Sequence, residues 1–180
     1  MRPFNNLGNG ETKGKEQLMA EEKKALLTDY LTSIVQVGLV VEDLDVTLAG
    51  MRRIFKLEPD SMFEAGFAES YYRGEFIDTP ARIANYDFFG TQIEFIQPLG
   101  DQSIWRDYLN EGPHHGHSLH HIRFTDVEDN DVITGIMADL GIEKYQEQNS
   151  FVHPGGKGTY YDTKDELGFF VEVVTKAKDA

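Results

Sequence analysis

An α+β domain of two βαβββ modules is predicted by three features of the sequence. Strand-like segments follow each of two helix-like ones, the chain resembles itself at a fixed offset, and metal-binding residue types interrupt apolar strands in both halves. A length of 180 residues suits one domain with a core of its own. Residues 1–32 read as an N-terminal extension and 33–176 as the domain, with modules at about 33–112 and 118–176.

Met1 to about Glu16 mixes Asn, Gly, Lys and Glu without periodicity and reads as a solvated arm. From Gln17 to Leu31, the recurrence of Met19, Leu26, Leu27 and Tyr30 outlines an amphipathic helix, a packing surface for the domain or a second subunit. Ser33 to Val41 (SIVQVGLVV) is β-branched and apolar, a buried strand with Gln36 as its polar intruder. Asp43 then caps a helix carrying Leu44, Leu48, Met51, Ile54 and Phe55 on one face. Strands are expected at Met62–Tyr72, Ala81–Phe88 and Thr91–Gln97, the last two joined by a turn at Phe89-Gly90.

The second half repeats this order. An ungapped shift of 85 positions (121 − 36) places Gln36 on His121, Leu39 on Phe124, Asp43 on Glu128 and Leu48 on Ile133. The same shift puts Gly50 on Gly135, Met51 on Ile136, Phe55 on Leu140 and Glu58 on Glu143, so the duplication is diverged but continuous. Strands at about Glu143–Gln148, Gly158–Asp162 and Gly168–Thr175 complete the second module.

Composition excludes several function classes. A formal net charge of −14 opposes binding to nucleic acid or an anionic membrane surface. No apolar run is long enough to span a bilayer, no signal peptide is evident, and a cytoplasmic location is expected. The chain has no cysteine, which removes disulfides, thiolate zinc sites and thiol nucleophiles and leaves oxygen and imidazole as ligands.

The chemistry concentrates in Gln36 and Glu94 of the first half and His121 and Glu172 of the second. In TQIEFIQ and GFFVEVV a carboxylate sits among large apolar groups, and burying it ionised and unpaired costs several kcal/mol. A divalent cation shared by two carboxylates, an imidazole and an amide oxygen compensates that charge. Singly, each residue has an ordinary reading: a strand Glu facing solvent, a satisfied core amide, or one member of the His-rich run His114–His117 with His120 and His121. Their corresponding places in a duplicated unit are what point to a site.

The segments QVGLVVEDLD, IEFIQPLG, LHHIRF and FFVEVV resemble the opening strand, fourth strand, second-module strand and closing strand of the vicinal-oxygen-chelate superfamily, over about Ser33–Thr175. Within it, SYYRGEF, IEFIQPLGDQSIW and GHSLHHIRF look most similar to methylmalonyl-CoA epimerases and lactoylglutathione-lyase-related proteins. The resemblance implies a barrel of two modules, a homodimer, and a divalent metal ion (Zn, Co, Ni, Mn or Mg) held by Gln36, Glu94, His121 and Glu172. It implies an isomerase or epimerase acting on a small carbonyl or thioester substrate, with Glu172 and Glu94 as proton acceptors. Gln36 departs from the usual epimerase His and is similar to the ligand of some glyoxalase I enzymes, so a lactoylglutathione-lyase reaction stays open, as does a binding protein without turnover. A single strand-borne His opposes the iron chemistry of extradiol dioxygenases, and the retained ligands oppose the metal-free antibiotic-binding branch.

Secondary candidates are each weighed against a surface role. Glu64 and Glu69 are possible extra bases, and Lys157, Arg73, Arg52 and Arg53 possible contacts for an anionic tail. Asn149–Thr159 is a hairpin loop or a lid, and Trp105 belongs to core or pocket.

Overall fold

The computed structural model describes residues 25–67, 69–111, 117–150 and 153–176. The β-branched run forms β1 (Ile34–Val41). The Asp43 carboxylate caps α1 (Leu44–Phe55), accepting from the backbone N–H of Asp45 at 2.9 Å and of Val46 at 3.2 Å. Leu44, Leu48 and Met51 form the buried stripe of α1. The chain continues through β2 (Ser61–Ala65), β3 (Ser70–Tyr72), β4 (Glu75–Ile77), β5 (Ala81–Phe88), β6 (Thr91–Pro98) and α2 (Ile104–Glu111). The second half runs β7 (His117–Phe124), α3 (Asp131–Asp139), β8 (Lys144–Asn149), β9 (Lys157–Tyr161), α4 (Lys164–Leu167) and β10 (Phe170–Val174).

One mixed sheet orders these strands β2-β5-β6-β1-β7-β10-β9-β8-β3-β4. Its first four positions and the next four mirror each other. In each half the opening strand lies parallel to the closing one, β1 to β6 and β7 to β10, and the two opening strands pair antiparallel at the centre. That is the two-module α+β architecture the sequence predicts. Residues of both halves, among them Val40, Ile83, Ile96, Tyr160 and Phe170, share one core with Ile104 and Trp105 of α2, so the sheet curls around it. The two long helices cover the outer face: α1 packs with Val41, Ala84 and Tyr86, and α3 with Val127, Tyr161, Val171 and Val173. Among the described residues no helix is long and apolar enough to cross a membrane.

The structure corrects two expectations. The strand expected at Met62–Tyr72 is broken into β2 and β3 near Glu69, whose φ is 59°. A second turn with left-handed φ at Arg73 (48°) and Gly74 (92°) then folds β3 onto β4, a hairpin with no counterpart among the described residues of the second module. This hairpin joins the far edge of the sheet through β3 and β8, linking module one to module two a second time. The tie is reinforced by Asp107 of α2, which accepts from the hydroxyls of Tyr72 at 2.6 Å and Tyr145 at 2.9 Å. In the second correction, the described part of the segment expected as an amphipathic helix holds only a short 3₁₀ turn at Leu27–Asp29, opened by the Asp29 carboxylate accepting from the Leu26 N–H at 3.0 Å. A carboxylate that takes the N–H of the extended residue before a first turn marks a helical start there, so Leu26 is not the middle of a longer helix. The remainder of that segment, like the arm before it and the loop residues His114 and His115, lies outside the described residues.

Candidate metal centre

Strand alternation aims Gln36 of β1, Glu94 of β6 and Glu172 of β10 into the concave face. His121 of β7 joins them from the second central strand. Gly38 stands between, in register with Glu94 on one side and His121 on the other. A Cβ at Gly38 would lie 1.9 Å from His121 Cε1, so the absence of a side chain on β1 makes the room for that ring. Both modules thus deliver their residues to one atom. His121 Nε2 is 3.2 Å from Glu172 Oε2, 3.3 Å from Gln36 Oε1 and 3.5 Å from Glu94 Oε2. The Gln36 amide is oriented by its own Nε2, which donates to Gln92 Oε1 at 2.5 Å and so turns Oε1 toward the imidazole.

Burial dominates the electrostatics. It pushes the Glu94 carboxyl up to about 8, with Glu172 adding to the rise against Arg123 and Gln36. Burial also pushes Glu172 up to about 7, opposed by Arg123 and by the Tyr160 hydroxyl. The His121 imidazole is held down at about 3, first by burial and then by the Arg123 cation, and His120 beside it is pushed well below its ordinary value by burial and by His121. The histidines are therefore neutral, and neither carboxylate has a cationic imidazole as partner.

Among the described residues, no three His, Asp or Glu side chains stand in the arrangement of a formed ion site. What the structure presents is the donor set, gathered at one nitrogen. Its chemistry fits a borderline-to-hard divalent cation: one imidazole, two carboxylates and an amide oxygen, with no thiolate in the chain. Spacings of 3.2 to 3.5 Å resemble those between neighbouring ligands whose bonds to an ion are about 2.0–2.2 Å. Most telling, Glu172 Oε2 is buried and makes no hydrogen bond, with His121 Nε2 standing 3.2 Å away. A buried carboxylate oxygen left so costs free energy that a cation would recover.

The four residues, save the fully buried His121, border a cavity of about 240 Å³ whose apolar walls are Phe63, Phe67, Ile83, Ile96 and Trp105. Trp105 thus belongs to core and pocket at once. Further polar side chains, among them Asn85, Gln92, Arg123 and Gln148, line the same space. The sequence reading missed them. Arg123 and Gln92 were within its reach, because each lies two residues from a named ligand and so on the same strand face. Arg123 is almost fully buried and gives Nε and Nη2 to Asp126 Oδ1 at 3.2 and 2.8 Å, while Asp126 Oδ2 meets His153 Nε2 at 2.6 Å.

The secondary candidates stay outside. Glu64 and Glu69 are exposed. Arg52 pairs with Glu58 at 2.8 Å, Arg73 with Asp107 at 3.1 Å, and Lys157 Nζ donates to Asn149 Oδ1 at 2.8 Å; Arg53 is exposed. None of these cations lines the cavity. The β8–β9 connection is a hairpin loop that supplies Asn149 and Ser150 to the cavity wall.

No protein-family model matches the sequence, and comparison with curated proteins finds no match. Solved structures do match. A Streptomyces coelicolor methylmalonyl-CoA epimerase variant in complex with 2-nitronate-propionyl-CoA superposes with a TM-score of 0.58 at 22% identity, over 82% of this chain and 96% of that one. The Mycobacterium tuberculosis methylmalonyl-CoA epimerase gives a TM-score of 0.60 at 17% identity, covering 86% and 94%. A hypothetical protein from Bacillus halodurans gives 0.59 at 16%, covering 82% and 96%. The chain has the fold of the vicinal-oxygen-chelate superfamily, the fold that methylmalonyl-CoA epimerases also adopt.

Proposed function

We propose that this protein is a metal-dependent isomerase or epimerase that removes a proton next to a carbonyl, as the methylmalonyl-CoA epimerases it resembles in fold do. The observation that carries the reading is the meeting of Gln36, Glu94, His121 and Glu172 at one point, with Glu172 Oε2 buried beside His121 Nε2 and making no hydrogen bond. A divalent ion held by these four would supply Lewis-acid polarisation of a substrate carbonyl and ease formation of the enolate. The remaining work falls to the chain. Gln92 fixes the Gln36 amide, and Gly38 admits the His121 ring. Glu94 and Glu172 are the two carboxylates at this point, and each is a base that accepts and returns a proton beside the substrate carbonyl. Arg123 places a positive charge beside both carboxylates and favours negative charge developing in the cavity. Phe63, Phe67 and Trp105 exclude water from it. Two bases acting on opposite faces of the carbon give epimerisation; one base returning the proton to the neighbouring carbon gives isomerisation.

A specific observation favours a second reading. The Gln36 amide oxygen, rather than an imidazole, faces His121 Nε2, and that resembles the glyoxalase I ligand set. The test starts with tag-free protein dialysed against a weak chelator. Elemental analysis is expected to find about one divalent ion per chain, and none in a Glu94→Ala, Glu172→Ala double variant. Equal content in both, or none in either, sinks the metal centre. The loaded protein is then given methylmalonyl-CoA in deuterated water. Deuterium at the α-carbon with the thioester retained supports the epimerase, whereas a hemithioacetal converted to a thioester transfers the reading to the lyase. Ligand binding that survives metal removal without proton exchange makes it a binding protein.

A further inference from the structure

Consecutive residues of a regular strand face opposite sides, so His120 would turn outward when His121 turns into the cavity. The register shows why it does not. Gly38 opposes His121, yet the next residue of β1, Leu39, opposes Leu119, which makes His120 the extra residue of a β-bulge. Both rings are fully buried as a result. Their Nδ1 atoms are 2.9 Å apart, and the rings stand almost perpendicular, at 88°. The His120 ring is enclosed by Phe170, Tyr108 and Tyr160 at centroid distances of 5.0, 5.2 and 5.7 Å, and its Nε2 has no hydrogen-bond partner.

We propose that His120 is a positioning residue: it accepts the Nδ1–H of His121 and thereby fixes the tautomer that leaves His121 Nε2 bare for a cation. Two nitrogens at this distance share one proton, so one ring donates and the other accepts. At the other end of His121, Nε2 faces only oxygens, those of Glu172, Gln36 and Glu94. A cation among them requires an unprotonated Nε2, which moves the single ring proton of His121 to Nδ1. The acceptor supplied there is His120 Nδ1, and His120 must then carry its own hydrogen on Nε2, within the aromatic enclosure. A metal-ligating imidazole usually gives its second N–H to a carboxylate, a carbonyl or water; here a second imidazole, brought in by the bulge, takes that place. The inference rests on the metal reading above and adds a residue to it.

The wild-type protein, labelled with ¹⁵N and loaded with zinc, is examined by long-range proton–nitrogen correlation of the imidazoles. His121 is expected to be protonated at Nδ1 and His120 at Nε2. Zinc affinity of His120→Phe and His120→Asn is measured beside it by competition with a chromophoric chelator. Phenylalanine fills the aromatic enclosure but accepts nothing, and should weaken zinc binding by roughly ten- to a hundredfold. Asparagine offers an amide oxygen near the position of Nδ1 and should recover most of that loss, which a merely space-filling role would not predict. Zinc-loaded wild type with the hydrogen on His120 Nδ1, or His120→Phe binding zinc as tightly as wild type, overturns the proposal. Should the Phe variant fail to fold, the wild-type spectrum and the Asn variant decide. Wild type that binds no zinc removes the metal reading itself, whereas zinc bound with the opposite tautomers removes only the role of His120.

Discussion

β1 and β7 hold the same place in the two modules and pair with each other, yet they serve the site in opposite ways. β1 withholds: at Gly38 it offers no side chain, and the Gln36 amide is its one donor. β7 oversupplies, with a bulge that turns two imidazoles inward and with Arg123 on the same face two residues on. The space one strand gives up is the space the other fills. The two modules repeat one frame, and the donors are shared unequally across the seam, because the His121 ring occupies the space that a side chain at Gly38 would need.

The sharpest way to test this asymmetry is to remove one cation from each module. Arg123 is buried and shares Asp126 with His153, close to Glu94 and Glu172. Arg82 of β5 pairs with Asp45 of α1 at 2.9 Å on the surface. Arg123→Gln leaves Asp126 with His153 alone and takes away the charge that holds both carboxyls down, and should cost about 3 kcal/mol in urea unfolding of the metal-free protein. Arg82→Gln breaks a solvated pair and should leave the midpoint almost unmoved. Equal losses would mean that the buried charge of β7 has no special part in holding the site.

The seam itself is probed by Gly38→Ala. Its Cβ would fall 1.9 Å from His121 Cε1 and 2.3 Å from both ring nitrogens, so the ring must leave its place or the strands must part. We expect a loss of about 2 kcal/mol, within the range for overpacked cores, together with loss of zinc binding. A variant that folds and binds zinc as wild type does would show that β1 need not yield this space.

Much of this asymmetry could be read from the sequence, and the part that could not has a definite physical reason. Gln36, Glu94, His121 and Glu172 stood out because a polar residue in an apolar strand is conspicuous, and they do come together. The Phe89-Gly90 turn was legible because a glycine between two strand-like runs marks a tight hairpin, and both residues do take left-handed φ, at 58° and 88°. The role of His120 was not, since a bulge is a property of paired register, which a single strand does not reveal. The β3–β4 hairpin escaped for a related reason: its partner, β8, lies in the other module, and nothing local to SYYRGEF names it. Local patterning writes the strands, whereas contacts between modules decide where they are cut.

The smallest effect sharpens the comparison from the other side, on the faces where the modules remain alike. Gly50 in α1 and Gly135 in α3 correspond under the 85-residue shift that maps Gln36 onto His121, and both lie inside helices. A Cβ at either meets nothing within 4 Å. Alanine there narrows the unfolded ensemble and favours helix, so each substitution should stabilise by up to about 1 kcal/mol. The two gains should add in urea unfolding, since the helices cover separate clusters on the outer face. Neither should alter zinc affinity, because the helices pack away from the concave face. A gain at one glycine and a loss at the other would carry the asymmetry of the central strands into the helices, and it would then be a property of whole modules rather than of the seam between β1 and β7.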